Sequence, residues 1–173
     1  LSTGRRTEDG AVLEAYGVST DGEVLWKTPS LPGVISTPLF LPPDRFFVSV
    51  DTDEGSLVMR VSADADSFKV EKVWNDRSMK NHFSSSLTLD GHVFGYSKST
   101  LKCIDAETGK QKWAKRGFGK GSIVAVGGYL VVIGDRGQMA ILEANHDAYV
   151  EVKRAQVLKG KSWTSPSIMD GKL

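Results

Sequence analysis

The chain has 173 residues, 40% of them hydrophobic and 25% charged, with a net charge of +1, which is the ordinary balance of a soluble globular protein. One cysteine excludes an intramolecular disulfide and leaves the redox compartment open. No apolar run approaches 18 residues, so no transmembrane segment is expected.

Taken in chain order, the predicted elements are strands. "YGVSTDGEVLW" reads as strand, Thr20-Asp21-Gly22 turn and strand ending in Trp26. "STPLFLPPDRFFVSV", from Ser36, reads as a strand pair, and "VMRVSADADSFKVEKVW" as a second hairpin that ends in Trp74. The two patterns then alternate. "SSSLTLDGHVFGYS" turns at Asp90-Gly91 and "CIDAETGKQKW" ends in Trp113. "GSIVAVGGYLVVIGD" turns at Gly127-Gly128, and "MAILEANHDAYVEVKRA" carries Ala155 at the Trp position. "TSPSIMDGKL" starts the pattern again at Thr164.

The spacings from Trp26 through Trp74 and Trp113 to Ala155 are 48, 39 and 42 residues. Those between Pro38, Ser86, Ile123 and Pro166 are 48, 37 and 43. Two independent landmarks thus give a period near 40–45 residues with four strands per unit, the signature of a β-propeller blade. Helical repeats of similar length need an i, i+3, i+4 stripe, and none is long enough. The expected architecture is all-β, with about four four-stranded antiparallel blades from a seven- or eight-bladed propeller. The units fall near 11–35, 36–83, 84–120 and 121–163, with a further strand set at 164–173. The opening "LSTGRRTEDG" lacks both Met and the apolar core of a signal peptide, and "SIMDGKL" stops as a strand begins, so both ends are read as cuts in a longer chain.

The repeated tryptophans have a structural reading. A Trp on the outer strand of one blade can lie over the glycine-bearing turn of the next and bury roughly 150–250 Å². At about 25 cal/mol per Å² that is several kcal/mol per contact as an upper bound. Trp26, Trp74, Trp113, Gly22 and Gly109 are therefore assigned to blade contacts.

The pattern A-x-T-G-x-x-x-W in "AETGKQKW", after an apolar strand containing Asp105, resembles the repeat of the PQQ-like β-propellers. That group includes the quinoprotein dehydrogenases and the BamB-like repeat proteins of bacterial envelopes. The resemblance is closest over residues 70–173 and rests on the repeat alone over 10–69. It implies a propeller in the periplasm or cell envelope, acting as a protein-binding scaffold, as a PQQ-dependent alcohol or sugar dehydrogenase, or as the ligand-sensing domain of a larger protein. The dehydrogenases hold PQQ and Ca²⁺ over the axis, many against a pair of adjacent cysteines, and this sequence has no such pair.

Little else points to catalysis, and no catalytic residue is assigned. "DTDEG", 51–55, begins like a Ca²⁺ loop but lacks the distal Glu. "GFGKGS", 117–122, is not a P-loop, because Lys120 is followed by Gly121 and a β-rich stretch instead of Ser/Thr and a helix. His82, His92 and His146 fall in different units, and no metal site is expected. Cys103 alternates with Leu101 toward one face, as a buried thiol would.

A binding surface is the remaining candidate. The loops entering the first strand of each unit carry Arg77, Lys80, His82, Arg116, Lys120, Lys159 and Lys161 with Phe83 and Trp163, and only Asp76 beside them. Residues 1–100 hold 10 Lys+Arg against 14 Asp+Glu, whereas residues 101–173 hold 12 against 7. Lys80, His82, Lys120, Lys161 and Trp163 are therefore expected to converge on one rim, as a docking face for a protein partner with acidic groups. A near-neutral total and the lack of a recognised module disfavour nucleic acid.

Overall fold

A computed structural model describes residues 2–7, 10–29, 31–32, 36–65 and 67–172, with side chains from residue 14 onward apart from Pro32. Every regular element among the described residues is a β-strand, and these form four separate antiparallel sheets. The first contains β1 (Ser2–Thr7), β2 (Gly10–Val18), β3 (Val24–Lys27) and β4 (Leu31–Pro32). β3 and β4 both pair with β2, in line along one edge and joined through the Thr28 N–H on the Ala15 carbonyl, so this sheet is three strands wide.

The other three are four wide and run in simple order. They are β5 to β8 (Leu39–Leu41, Arg45–Ser49, Ser56–Asp64, Ser67–Asp76), β9 to β12 (Leu87–Leu89, His92–Ser97, Thr100–Asp105, Gln111–Lys115) and β13 to β16 (Ser122–Val126, Tyr129–Ile133, Gln138–Glu143, Glu151–Gln156). Period-2 alternation makes both faces of an inner sheet apolar, so each buries one face on the sheet before and one on the sheet after. Phe46, Val48, Leu57 and Met59 of the second sheet meet Ala15 and Leu31 of the first. Its other face, with Phe47 and Val58, meets Val93, Ile104 and Ala106 of the third. The third in turn presents Phe94, Leu101, Cys103 and Trp113 to Leu130, Val132, Ala140 and Leu142 of the fourth. Cys103 is fully buried there, and burial pushes its thiol up to about 12.

The Trp-bearing outer strands fasten these seams. After β11, the Asp105 carboxylate closes the turn by accepting from the N–H groups of Glu107 and Thr108 and from the Thr108 hydroxyl, at 3.0, 2.8 and 2.8 Å. Burial alone would raise the Asp105 pKa, but the Thr108 hydroxyl and backbone bonds outweigh it and hold it low. Gly109 then takes φ +74°, a conformation that favours glycine, and its α-carbon lies against the Trp74 ring of the preceding sheet. The Trp74 Nε1–H donates to the Ala106 carbonyl at 3.1 Å. One seam later Asn145 closes the turn in place of Asp105, and the Trp113 Nε1–H donates to its carbonyl at 3.0 Å, again 32 residues further on.

Trp26 departs from this arrangement. It stands opposite Gly17, where Trp74 faces Val58 and Trp113 faces Cys103. With no side chain at Gly17 the indole lies flat on its own sheet, and a Cβ there would sit 2.0 Å from Nε1. Phe46 stacks on the same ring at 5.5 Å. The hairpin β7–β8 is longer than its counterparts, and Val61 and Val70 on it cover this seam instead of a compact turn. The assignment of Gly22 to a blade contact is corrected: it takes φ +91° in the turn, and a Cβ there would meet nothing within 4 Å.

Candidate functional site

The loops entering β9, β13 and the 164–172 segment come to one end of the sheets. Their aromatic members form a ladder. His82 packs edge-on against Phe83 at 5.0 Å, Phe83 meets Trp163 at 4.7 Å, and the Lys161 ammonium stands 4.1 Å over the Trp163 ring. Trp163 remains 47% exposed. Lys120 joins through Asp135, whose carboxylate accepts the Lys120 N–H at 3.2 Å and whose carbonyl accepts the Ser162 N–H at 2.9 Å. Lys80 precedes the ladder by two residues, anchored by its N–H on the Ser97 hydroxyl and its carbonyl on the Lys98 N–H. Beneath it the buried Asn81 donates to the Ser84 carbonyl and the Ser86 hydroxyl, while its own N–H meets the Ser49 hydroxyl, which fixes the loop on the inner strands. These bonds tie down the loop that carries His82 and Phe83.

The expectation that acids are nearly absent from this end is corrected. Lys80 pairs with Asp53 at 3.1 Å, and Asp51 faces both His82 at 3.9 Å and Lys98 at 3.5 Å. The hydrogen bond and charge of Lys80 hold the Asp53 carboxyl below its usual range. These acids sit on turns between the second and third strands of a sheet. Strand alternation brings those turns to the same end as the entering loops, which was the signal available in "DTDEG" and "IGDRG". Among the described residues, Lys120 and Lys161 have no carboxylate within ion-pair distance.

The histidines also differ from expectation. His92 and His146, from different units, meet at the opposite end with rings stacked at 4.1 Å and 12°. His92 Nδ1 bonds the Asp90 carbonyl at 2.7 Å, and His146 lies 3.5 Å from Asp147. No group of three or more His, Cys, Asp or Glu among the described residues could hold a metal ion. "GFGKGS" has a packing role, since Gly119 receives the Asp135 carboxylate and Gly121 lies against the Ile133 carbonyl and Tyr96. Among the described residues no helix is long and apolar enough to cross a membrane.

Four antiparallel sheets stacked through Trp-fastened seams, without closure into a ring, define a segment of a β-propeller. The fold is shared with solved structures of low sequence identity. The structure of BamB from Moraxella catarrhalis superposes with a TM-score of 0.61 at 14% identity, over 93% of this chain and 49% of BamB. The computationally designed Ika8 protein superposes with a TM-score of 0.56 at 12% identity, over 96% and 52% of the two chains. A europium-containing methanol dehydrogenase aligns over 68% of this chain and 24% of its own, at 14% identity and a TM-score of 0.48, a distance at which the superposition carries no chemistry. The chain thus spans about half the length of BamB and of the designed protein. No family model and no curated protein matches the sequence.

Proposed function

We propose that residues 1–173 form part of a non-catalytic propeller of the bacterial cell envelope, whose rim docks a protein partner through an exposed aromatic step flanked by cations. The observation that carries this reading is the His82–Phe83–Trp163 ladder with Lys161 over it. Half-exposed tryptophan on a fixed base is the typical anchor of a protein interface. Lys80 and His82 already face acids, so the attraction for an acidic partner rests on Lys120 and Lys161. The periplasmic setting and the scaffolding role are supported by the shared fold with BamB.

The test is capture of envelope proteins by the parent chain, by Trp163→Ala and by Lys120→Glu/Lys161→Glu, across a salt series. The parent is expected to retain partners that the charge-reversed chain loses and that salt releases. Equal capture by the folded parent and the folded double variant would sink the rim reading.

A further inference from the structure

Among the described residues, two buried polar atoms in the seam between the third and fourth sheets meet no partner, the Tyr96 hydroxyl and Gln138 Oε1. Tyr96 is 1% exposed. It follows Phe94 by two residues on β10 and so faces the fourth sheet, while Gln138 precedes Ala140 by two on β15 and so faces the third. Both reach the loop that enters β13. Gln138 Nε2 donates to the Gly117 carbonyl at 3.1 Å, and a Cβ on Gly121 would stand 2.5 Å from the Tyr96 hydroxyl. A Cβ on Gly134 would stand 2.6 Å from Gln138 Cδ and 2.4 Å from the Phe118 carbonyl. Ser122 lies opposite Ile133, so Gly121 and Gly134 flank this pair and adjoin each other.

The second seam shows what the Tyr96 position does elsewhere. Phe47 and Phe94 are equivalent, each paired with the residue that faces the tryptophan of its sheet. Ser49 is therefore the counterpart of Tyr96. Its hydroxyl accepts the Asn81 N–H of the entering loop at 2.9 Å, which ties that loop to the sheet. At the third seam no N–H of the entering loop meets Tyr96. Burial pushes the Tyr96 phenol well above its ordinary range, so the oxygen keeps its proton and is a donor. Gln138 Oε1 is an acceptor only. Leaving a buried donor and a buried acceptor unmet is costly, and groups that do not bond directly are commonly joined by water.

We propose that the third seam holds a water site: one buried water accepts from the Tyr96 hydroxyl and donates to Gln138 Oε1 and to the Phe118 carbonyl. About three partners is the usual complement of an internal water. Gly121 and Gly134 leave room for it. Water both accepts and donates, which suits one donor and two acceptors; a cation or an anion would leave one kind of group unmet. The water takes the place of the direct Ser49–Asn81 bond and anchors residues 117–121, the loop that carries Lys120. Tyr96 and Gln138 thereby act as positioning residues for Lys120. That consequence rests on the rim reading, whereas the water site does not.

Water-to-amide NOEs on the parent chain test the site directly. A long-lived water is expected to give a cross-peak of bound sign at the Gly121 or Gly134 N–H, and Tyr96→Phe should lose it. Melting adds a second reading. An unmet hydroxyl would make Tyr96→Phe neutral or stabilising, whereas a hydroxyl bonded to water makes the change lower Tm by about 2 °C or more. Gln138→Met should lower Tm less in the Tyr96→Phe background than in the parent, because either change removes the same water. Lys120 amide exchange should speed at least tenfold in Tyr96→Phe while Leu130 and Val132 keep their protection, which separates a loosened loop from a loosened core. Should a variant not fold, the cross-peak in the parent decides. Its absence there, an unchanged or raised Tm for Tyr96→Phe, or additive losses for the two changes would each overturn the site. Unchanged Lys120 exchange would overturn the positioning role, while the rim reading itself stands or falls on partner capture by the Lys120→Glu/Lys161→Glu chain.

Discussion

The Trp26 seam and the Trp74 and Trp113 seams use the same residue on equivalent strands and reach different ends. At the two regular seams the residue opposite the tryptophan has a side chain, Val58 or Cys103, and a closed turn on the next sheet offers a carbonyl to the indole N–H. At the first seam Gly17 removes that side chain, the next sheet offers a long hairpin, and the ring lies down on its own strand. A tryptophan in a repeat is therefore not enough to specify a latch. The residue beneath it and the length of the turn facing it decide whether it reaches the neighbour.

The largest effect should separate the two kinds of seam. Trp113 is 8% exposed, and Trp113→Ala is expected to cost about 3–5 kcal/mol in denaturant unfolding. Trp26→Ala, which removes a half-buried ring bonded to no turn among the described residues, should cost about 1–2 kcal/mol. Equal losses would erase the distinction between the seams. Next in size is a pair of glycine changes. Gly109→Ala must adopt a positive φ and press on the Trp74 ring, for a loss of about 1–2 kcal/mol. Gly22→Ala meets the same backbone strain in open space, so the excess loss at Gly109 measures the latch alone.

The smallest effect is a pH dependence at the outer edge of the Trp113 seam. Arg154 lies 4.3 Å from the Phe118 ring and bonds Glu151, whose carboxyl it holds down at about 2 with help from the Tyr149 hydroxyl. A depressed carboxylate contributes stability above its unfolded pKa, and that stability disappears as pH falls through the folded value. The stability gap between the parent and Glu151→Gln should therefore be constant above about pH 5 and shrink as pH drops toward 2. Lys153→Gln, a change that leaves the Arg154 contact in place, serves as the control. A gap that stays constant down to pH 2 would remove the ion pair from the seam.

The strands and their grouping were legible because period-2 alternation, glycine turns and the recurring Trp are local signals. The turn after Asp105 could be read almost residue by residue, since Asp, Thr and Gly each have one role in it. What could not be read was which turns of one sheet touch the loops of the next. Asp51 and Asp53 sit on a turn of the second sheet, and only the stacking of the sheets sets them beside Lys80 and His82 of the loop entering the third. The meeting of His92 with His146 was hidden for the same reason, being a contact between the second strand of one sheet and a loop of the next. Gly17 was overlooked because its function is an absence, visible only once Trp26 is placed over it.

The latch from Trp74 to Ala106 and that from Trp113 to Asn145 have donor and acceptor the same distance apart along the chain, and a main-chain carbonyl receives both. A main-chain acceptor places no demand on the side chain that carries it, so any unit with a compact turn accepts any unit that ends in Trp. Stability then adds up from neighbour to neighbour, and a gene that gains or loses one whole unit creates no new kind of joint. The number of units is thus free to drift over evolution while the joint stays fixed. Ala155 has no ring to offer, so the fourth unit carries no latch of this kind.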